Sequence, residues 1–319
     1  MSEIRHRTVE TNGIRMHVAE QGVGPLVIMC HGFPESWYSW RHQLTALAGA
    51  GFHAVAPDMR GYGQTDAPAE IGAYTLLHLV GDMVGLVGAL GETSAVIAGH
   101  DWGAPVAWHA ALLRPDLFRA VIGLSVPYRP RGNVRPTTVM PQNDEAMFYQ
   151  LYFQTPGVAE AELERDPRAT IRRLAYAGSG NAPAREGIAM VRRGGGFLDH
   201  TIDPDTLPPW LSTADIEFYA GEFGRTGFRG GLNWYRNIDR NWELLAPYTG
   251  AVVTVPALYV VGDRDLVVRF PGAQQLIANL STFVPKLRRT VMLPGCGHWT
   301  QQERAREVNE AMLEFLKAI

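Results

Sequence analysis

The chain has 319 residues, a formal net charge of −3, 46% hydrophobic residues and 19% charged residues. That composition is globular rather than disordered and long enough for a sizeable core. The near-neutral charge gives no electrostatic case for nucleic acid or an anionic membrane surface as partner.

Apolar stretches such as "PLVIMC" fall far short of the ~18 residues that a spanning helix needs, and the N-terminal "MSEIRHRTVE" lacks the apolar core of a signal peptide. The two cysteines, Cys30 and Cys296, make no disulfide framework and read as buried thiols suited to a reducing cytoplasm. In chain order, "HRTVETNGIRMHVAEQG" gives two alternating runs around Asn12-Gly13, a hairpin signal. "PLVIMCHG" and "HAVAPDMRG" read as buried strands ending in glycine turns, with a helix over "ESWYSWRHQLTALAGAG" between them. "TLLHLVGDMVGLVGALG" has helical period, weakened by its glycines. Two further apolar strands, "SAVIAGH" and "RAVIGLSVP", flank a helix over "WGAPVAWHAALLRP".

After Pro127 the pattern changes. From about 129 to 235 no buried β run is expected, only helical segments such as "NDEAMFYQLYFQ" and "STADIEFYAGEF" joined by Gly- and Pro-rich loops. Alternation resumes with "VPALYVVGDRD", a helix over "GAQQLIANL", the strand "KLRRTVMLPG" and a final helix over "REVNEAMLEFLKAI". The expectation is an α/β fold with a mainly parallel sheet flanked by helices. Residues 1–128 and 236–319 form its core, and 129–235 an inserted helical lid.

The chemistry centres on "AVIAGHDWGAPVAW". A β-branched run, a cluster of small residues and a helical pattern form the strand–turn–helix setting in which many hydrolases hold a serine. Here Asp101 takes that position between Gly99 and Gly103. An isolated Asp before a helix commonly serves as N-cap, but small residues on both sides are what a sharp turn exposing its central side chain requires. The turn in "CHGFPESW" offers the backbone N–H of Phe33, and the elbow that of Trp102, as an oxyanion hole. Asp265 in "YVVGDRD" and His298 in "LPGCGHWTQQE" then complete the order nucleophile, acid, histidine. Asp263 competes with Asp265 as the acid, while His100 is expected to pack and His109 to be a satisfied helix residue.

A carboxylate of pKa ~4 is a weak base and poorly suited to serine-type ester cleavage. It can displace a leaving group at an sp³ carbon, giving an alkyl ester that water activated by His298 then hydrolyses. Epoxides and alkyl halides both qualify as electrophiles. A phenol, protonated at pH 7, can supply the acid that an epoxide oxygen needs, and the lid segments "MFYQLYFQTPG" and "GGLNWYRN" carry tyrosines.

Taken together, "HGFPESWYSW", "RGYG", "GHDWG", "LYFQTPGVAEAELE", "GFRGGLNWYRN" and "CGHWTQ" resemble the soluble epoxide hydrolases of the α/β-hydrolase superfamily over nearly the whole chain. The likeness is to the hydrolase domain of the animal soluble enzyme and to its bacterial relatives. It implies hydrolysis of an epoxide to a vicinal diol without cofactor or metal. Its nucleophile matches Asp101, its acid Asp265, its base His298, and its lid tyrosines Tyr152 and Tyr235, with Tyr149 outside the motif. The animal enzyme's phosphatase domain has no counterpart in these motifs, so no phosphatase activity is implied. The expected partner is a small apolar epoxide in a pocket lined by Phe33, Trp102 and the lid aromatics; a homodimer is left open. The rival reading is a haloalkane dehalogenase, whose relatives place a side-chain N–H donor where Phe33 stands. A fluoroacetate dehalogenase would carry an arginine where Trp102 stands. A non-enzymatic small-molecule-binding member of the fold would show a broken triad or a blocked elbow.

Overall fold

The computed structural model describes residues 3–183, 187 and 189–319. Its strands are β1 (Arg5–Thr11), β2 (Ile14–Gln21), β3 (Leu26–Cys30), β4 (His53–Pro57), β5 (Ala95–His100), β6 (Phe118–Leu124), β7 (Ala146–Phe148), β8 (Met190–Arg192), β9 (Ala257–Gly262) and β10 (Leu287–Leu293). Eight of them form one sheet in the order β1-β2-β4-β3-β5-β6-β9-β10. The first three in that order pair antiparallel and the rest parallel.

The expected hairpin is β1–β2. Thr11 faces Ile14 across it, and Asn12 and Gly13 turn the chain at φ 44° and 77°, the left-handed geometry that a tight two-residue hairpin requires. β3, β5 and β9 are buried at every residue, the signature of strands covered on both faces.

One face of the sheet is covered by α2 (Leu76–Ala89) and α3 (Gly103–Leu113), whose Leu79, Met83 and Trp108 share a core with Ile28, Ile97 and Val121. The glycines of α2 do not break it. Thr75 caps its N-terminus by accepting from the His78 N–H, and seven of its residues are buried. The other face is covered by α1 (Arg41–Gly49), and Leu44 shares a second core with Val308, Met312 and Phe315 near the C-terminus.

Between β6 and β9 the chain is helical: α4 (Tyr149–Tyr152), α5 (Val158–Leu163), α6 (Pro167–Ala177), α7 (Thr213–Thr226), α8 (Arg229–Arg236) and α9 (Ile238–Leu244). The last runs past residue 235, where the sequence places the return to the core. The segment also holds an unanticipated antiparallel pair, β7–β8, with three residues per strand. After β9 come α10 (Ala273–Ala278), α11 (Leu280–Phe283), α12 (Thr300–Glu303) and α13 (Ala305–Lys317), the last covering the sheet beside α1. No helix among the described residues is long and apolar enough to cross a membrane.

The β1–β2 hairpin is tied to α2 by a buried charge pair. Asp82 accepts from Arg60 Nε at 2.8 Å and from Asn12 Nδ2 at 2.9 Å, and the Asp82 and Arg60 side chains are 0% and 4% exposed. Burial holds the Asp82 carboxyl above its usual range in spite of Arg60, so the pair resists separation because either charge alone would be worse. Asp82→Ala, which strands the Arg60 guanidinium, is expected to cost about 3–5 kcal/mol in urea unfolding.

Candidate active site

The strand β5 and the helix α3 meet at a turn too tight for ordinary residues. A Cβ on Gly99 would lie 2.0 Å from the Gly103 carbonyl oxygen, and one on Gly103 would lie 2.1 Å from that of Cys30. Both are main-chain atoms that cannot step aside. Between them Asp101 adopts φ 50°, a left-handed conformation that a non-glycine residue takes only under constraint. The result is a carboxylate projecting from the C-terminal end of the parallel strands, where ligands bind in open α/β sheets. Its side chain is still 15% exposed.

Asp101 Oδ1 accepts the Phe33 N–H at 2.8 Å, and Oδ2 lies 3.4 Å from His298 Nε2. The other ring nitrogen of His298, Nδ1, lies 3.0 Å from Asp265 Oδ1. A carboxylate can only accept, so Nδ1 carries the proton in that bond. Asp265 is fully buried and its Oδ1 also accepts the Val267 N–H at 2.9 Å. Asp263 is exposed and holds the Gly295 N–H at 2.7 Å, so Asp265 is the residue that meets His298.

Burial disfavours charge on both Asp101 and His298, but each offsets it for the other. The His298 hydrogen bond and charge, with His100 and the Phe33 N–H, hold the Asp101 carboxyl below its usual range. Asp265 and Asp101 together lift His298 well above an ordinary histidine. Ser125, at φ 67°, puts its Oγ 3.1 Å from His298 Nδ1 and was not singled out in the sequence.

A second buried charge layer lies beneath the first, also unread in the sequence. His100 is fully buried, with Nδ1 2.8 Å from Glu35 Oε2 and Nε2 2.7 Å from the His298 carbonyl oxygen. Both neighbours are acceptors, which calls for a proton on each nitrogen. Glu35 in turn accepts from the Gly32 N–H at 3.0 Å and from the side-chain amides of Gln301 and Gln302 at 3.0 and 3.2 Å. Burial raises the Glu35 carboxyl, yet the charge and hydrogen bond of His100, with the Gly32 N–H, leave it below its usual range. This layer bolts the Phe33 turn, the elbow and the histidine loop to one another.

Of the two lid tyrosines expected here, one arrives and one does not. Tyr235 on α8 is buried, its ring edge-on to Trp102 at 5.1 Å and to Phe33 at 5.5 Å. Tyr152 instead turns its hydroxyl to Glu162, donating at 2.8 Å, and faces the charges of Glu162, Asp199 and Glu160 rather than that of Asp101. The expectation for Tyr152 is therefore corrected.

The ring that meets Tyr235 belongs to Tyr149, 6.0 Å away on the same one-turn helix as Tyr152. Phe153, four residues on and fully buried, packs edge-on against Tyr149 at 5.5 Å and Tyr235 at 5.0 Å, so these rings point to the same side. Gln150 donates to the Tyr149 hydroxyl at 3.1 Å. Desolvation foremost, then the charge of Asp101 among others, raises both phenols well above an ordinary tyrosine, so both stay protonated at neutral pH. The useful sequence signal was this four-residue spacing to Phe153, against the acidic run of "AEAELE" that offers Tyr152 a partner. Among the described residues no group of three or more His, Cys, Asp or Glu could hold a metal ion.

Comparison with known proteins gives the family. Residues 25–183 match the α/β-hydrolase-fold family. Epoxide hydrolase A of Mycobacterium tuberculosis is 47% identical, with 98% of this chain and 97% of that protein covered. Bifunctional epoxide hydrolase 2 of Sus scrofa is 42% identical over 96% of this chain but only 54% of its own length. Among solved structures, an epoxide hydrolase from an endophytic Streptomyces superposes with a TM-score of 0.96 at 46% identity, covering 99% of this chain and 96% of that one. A left-handed aspartate at the elbow, a histidine between two carboxylates and paired phenols thus meet relatives of matching length and fold, and the chain belongs to the epoxide hydrolases of the α/β-hydrolase family.

Proposed function

We propose that this epoxide hydrolase opens a small apolar epoxide in two covalent steps on Asp101, the residues 129–235 serving as a cap over a core of 1–128 and 236–319. The observation that carries the reading is the setting of the Asp101 carboxylate. It is charged, still reachable, held by one backbone N–H, and next to a histidine that is itself oriented by Asp265. Phe33 offers no side-chain donor for a halide, whereas two protonated phenols face the carboxylate, which favours an epoxide over an alkyl halide. The cysteines, both free and buried, fit a cytoplasmic enzyme.

In the first step an Asp101 oxygen attacks a ring carbon, the C–O bond of the epoxide breaks, and Tyr149 or Tyr235 donates its proton to the leaving oxygen. Esterification removes the Asp101 charge that helps hold His298 protonated, so the imidazolium proton passes to the phenolate and leaves a neutral imidazole. In the second step His298 takes a proton from water, the resulting hydroxide attacks the ester carbon, and the N–H groups of Phe33 and Trp102 hold the oxyanion. Collapse breaks the acyl C–O bond, the departing alkoxide takes the proton of the added hydroxyl, and the diol leaves with the Asp101 carboxylate restored beside a protonated His298. One histidine thereby acts as counter-ion in the first step and as base in the second.

Intact-mass spectrometry provides the direct test. His298→Gln is expected to accumulate an alkyl-enzyme adduct on Asp101 when given a styrene-type epoxide, and absence of any adduct from a consumed substrate would overturn the covalent route. Tyr149→Phe combined with Tyr235→Phe is expected to slow alkylation by up to the ~10²–10⁴ that general acid catalysis contributes. Tyr152→Phe should leave stopped-flow alkylation close to wild type.

The electrostatics give a third expectation, read by NMR titration of His298. A histidine raised above its usual ~6.5 adds stability that is complete below that value and fades as pH climbs through its folded-state pKa. A depressed aspartate adds stability that is present above ~3.9 and lost on acidification through its folded-state pKa. Asp101→Asn removes one of the two charges raising His298, so its titration midpoint should fall.

A further inference from the structure

The loop that carries His298 is not anchored to the sheet alone. It lies against the end of α6 and the residues after it, a seam between the lid segment and the histidine turn. The His298 N–H donates to the Gly178 carbonyl at 2.7 Å, and the Trp299 indole to that of Ala175 at 2.8 Å. From the other side, Arg264 Nη1 donates to the Gly180 carbonyl at 2.8 Å. The seam is closed backbone to backbone: a Cβ on Gly297 would lie 2.2 Å from the Gly180 nitrogen.

At its centre sits one carboxylate. Glu303 Oε2 accepts the Gly180 N–H at 2.9 Å from the lid side and the Gly297 N–H at 3.0 Å from the histidine loop, while Oε1 accepts the Trp299 N–H at 3.1 Å. Gly297 and Trp299 are the residues immediately before and after His298, so Glu303 grips the base by the main chain on both sides. The two-step reading proposed above leaves this carboxylate without a part.

We propose that Glu303 is a positioning residue for the second step: its carboxylate fixes the main chain either side of His298 to the lid and so sets the imidazole for its attack on water. The inference rests on the two-step reading. Asp101 is held by the elbow and by Phe33, and the phenols by lid helices that Glu303 does not touch. Loss of the carboxylate therefore falls on the step that needs His298 as a base and spares ring opening itself, during which His298 is only a nearby charge and from which its proton passes to the phenolate afterwards. Burial also raises the Glu303 carboxyl above its usual range, while the three N–H groups and the charge of His298 pull the other way, so the carboxylate depends on the donors it organises.

Glu303→Gln keeps the shape but aims an amide N–H₂ at main-chain donors. In pre-steady-state assays with a styrene-type epoxide it is expected to slow ester hydrolysis at least about tenfold, less than the ~10²–10⁴ that a positioned base contributes, with alkylation within about twofold of wild type. Alkyl-enzyme should then build up in intact-mass spectra, and Glu303→Asp, which restores the charge, should recover part of the hydrolysis rate. A merely structural role would lower thermal stability or slow both steps together, and either result without adduct accumulation would overturn the proposal. His298→Gln, assayed in parallel, separates the two levels. Adduct with His298→Gln but none with Glu303→Gln refutes the role of Glu303 alone, whereas adduct with neither refutes the two-step reading and this inference with it.

Discussion

Everything at this site depends on a main chain forced through a turn where two glycines admit no side chain and an aspartate adopts a left-handed backbone. That constraint puts a carboxylate at the end of β5 with its oxygens pointing away from the sheet. In a relaxed chain the same residue would cap α3 and satisfy helix amides. The Phe33 N–H reaches Asp101 because β3 lies next to β5 in the sheet, and His298 reaches it from the loop after β10, the strand at the far edge. Sheet order, more than local sequence, assembles the constellation.

Around that carboxylate the protein balances buried charges in pairs. Asp101 and Asp265 bracket His298, while Glu35 sits against His100, which in turn holds the carbonyl of His298. A lone charge in such surroundings would neutralise itself by taking or losing a proton. Charge at the site is therefore collective, and covalent capture of a substrate by Asp101 would redistribute it across all its neighbours.

Much of this was legible in the sequence. The β-run, small-residue cluster and helix around Asp101 fix a strand–turn–helix whatever the rest of the chain does, and Asp265 and His298 follow strands in an order that few folds share. Hairpin chemistry at Asn12-Gly13 was equally local. What escaped was tertiary. Choosing between Tyr149 and Tyr152 on a one-turn helix requires knowing which meets Tyr235 and which finds Glu162, a contact set by the packing of α5. Glu35 and His100 are 65 residues apart, and the sequence offers one as the start of a helix and the other as a packed strand end, with nothing to pair them until the sheet brings them together. The β7–β8 pair, three residues per strand, is too short for any alternating pattern to show.

The connectivity of the sheet carries a consequence for biogenesis. β6 pairs directly with β9, Val121 opposite Ala257, although more than a hundred mainly helical residues separate them in the chain. During synthesis β6 therefore leaves the ribosome as a bare, apolar parallel edge and waits for its neighbour until the whole helical segment has been made. Closing so long a loop adds only modestly to the equilibrium cost, because that cost grows with the logarithm of length, but it delays pairing and leaves a sticky margin open. The nascent chain thus carries that open margin for as long as the segment between the two strands is being translated, well before His298 has been made.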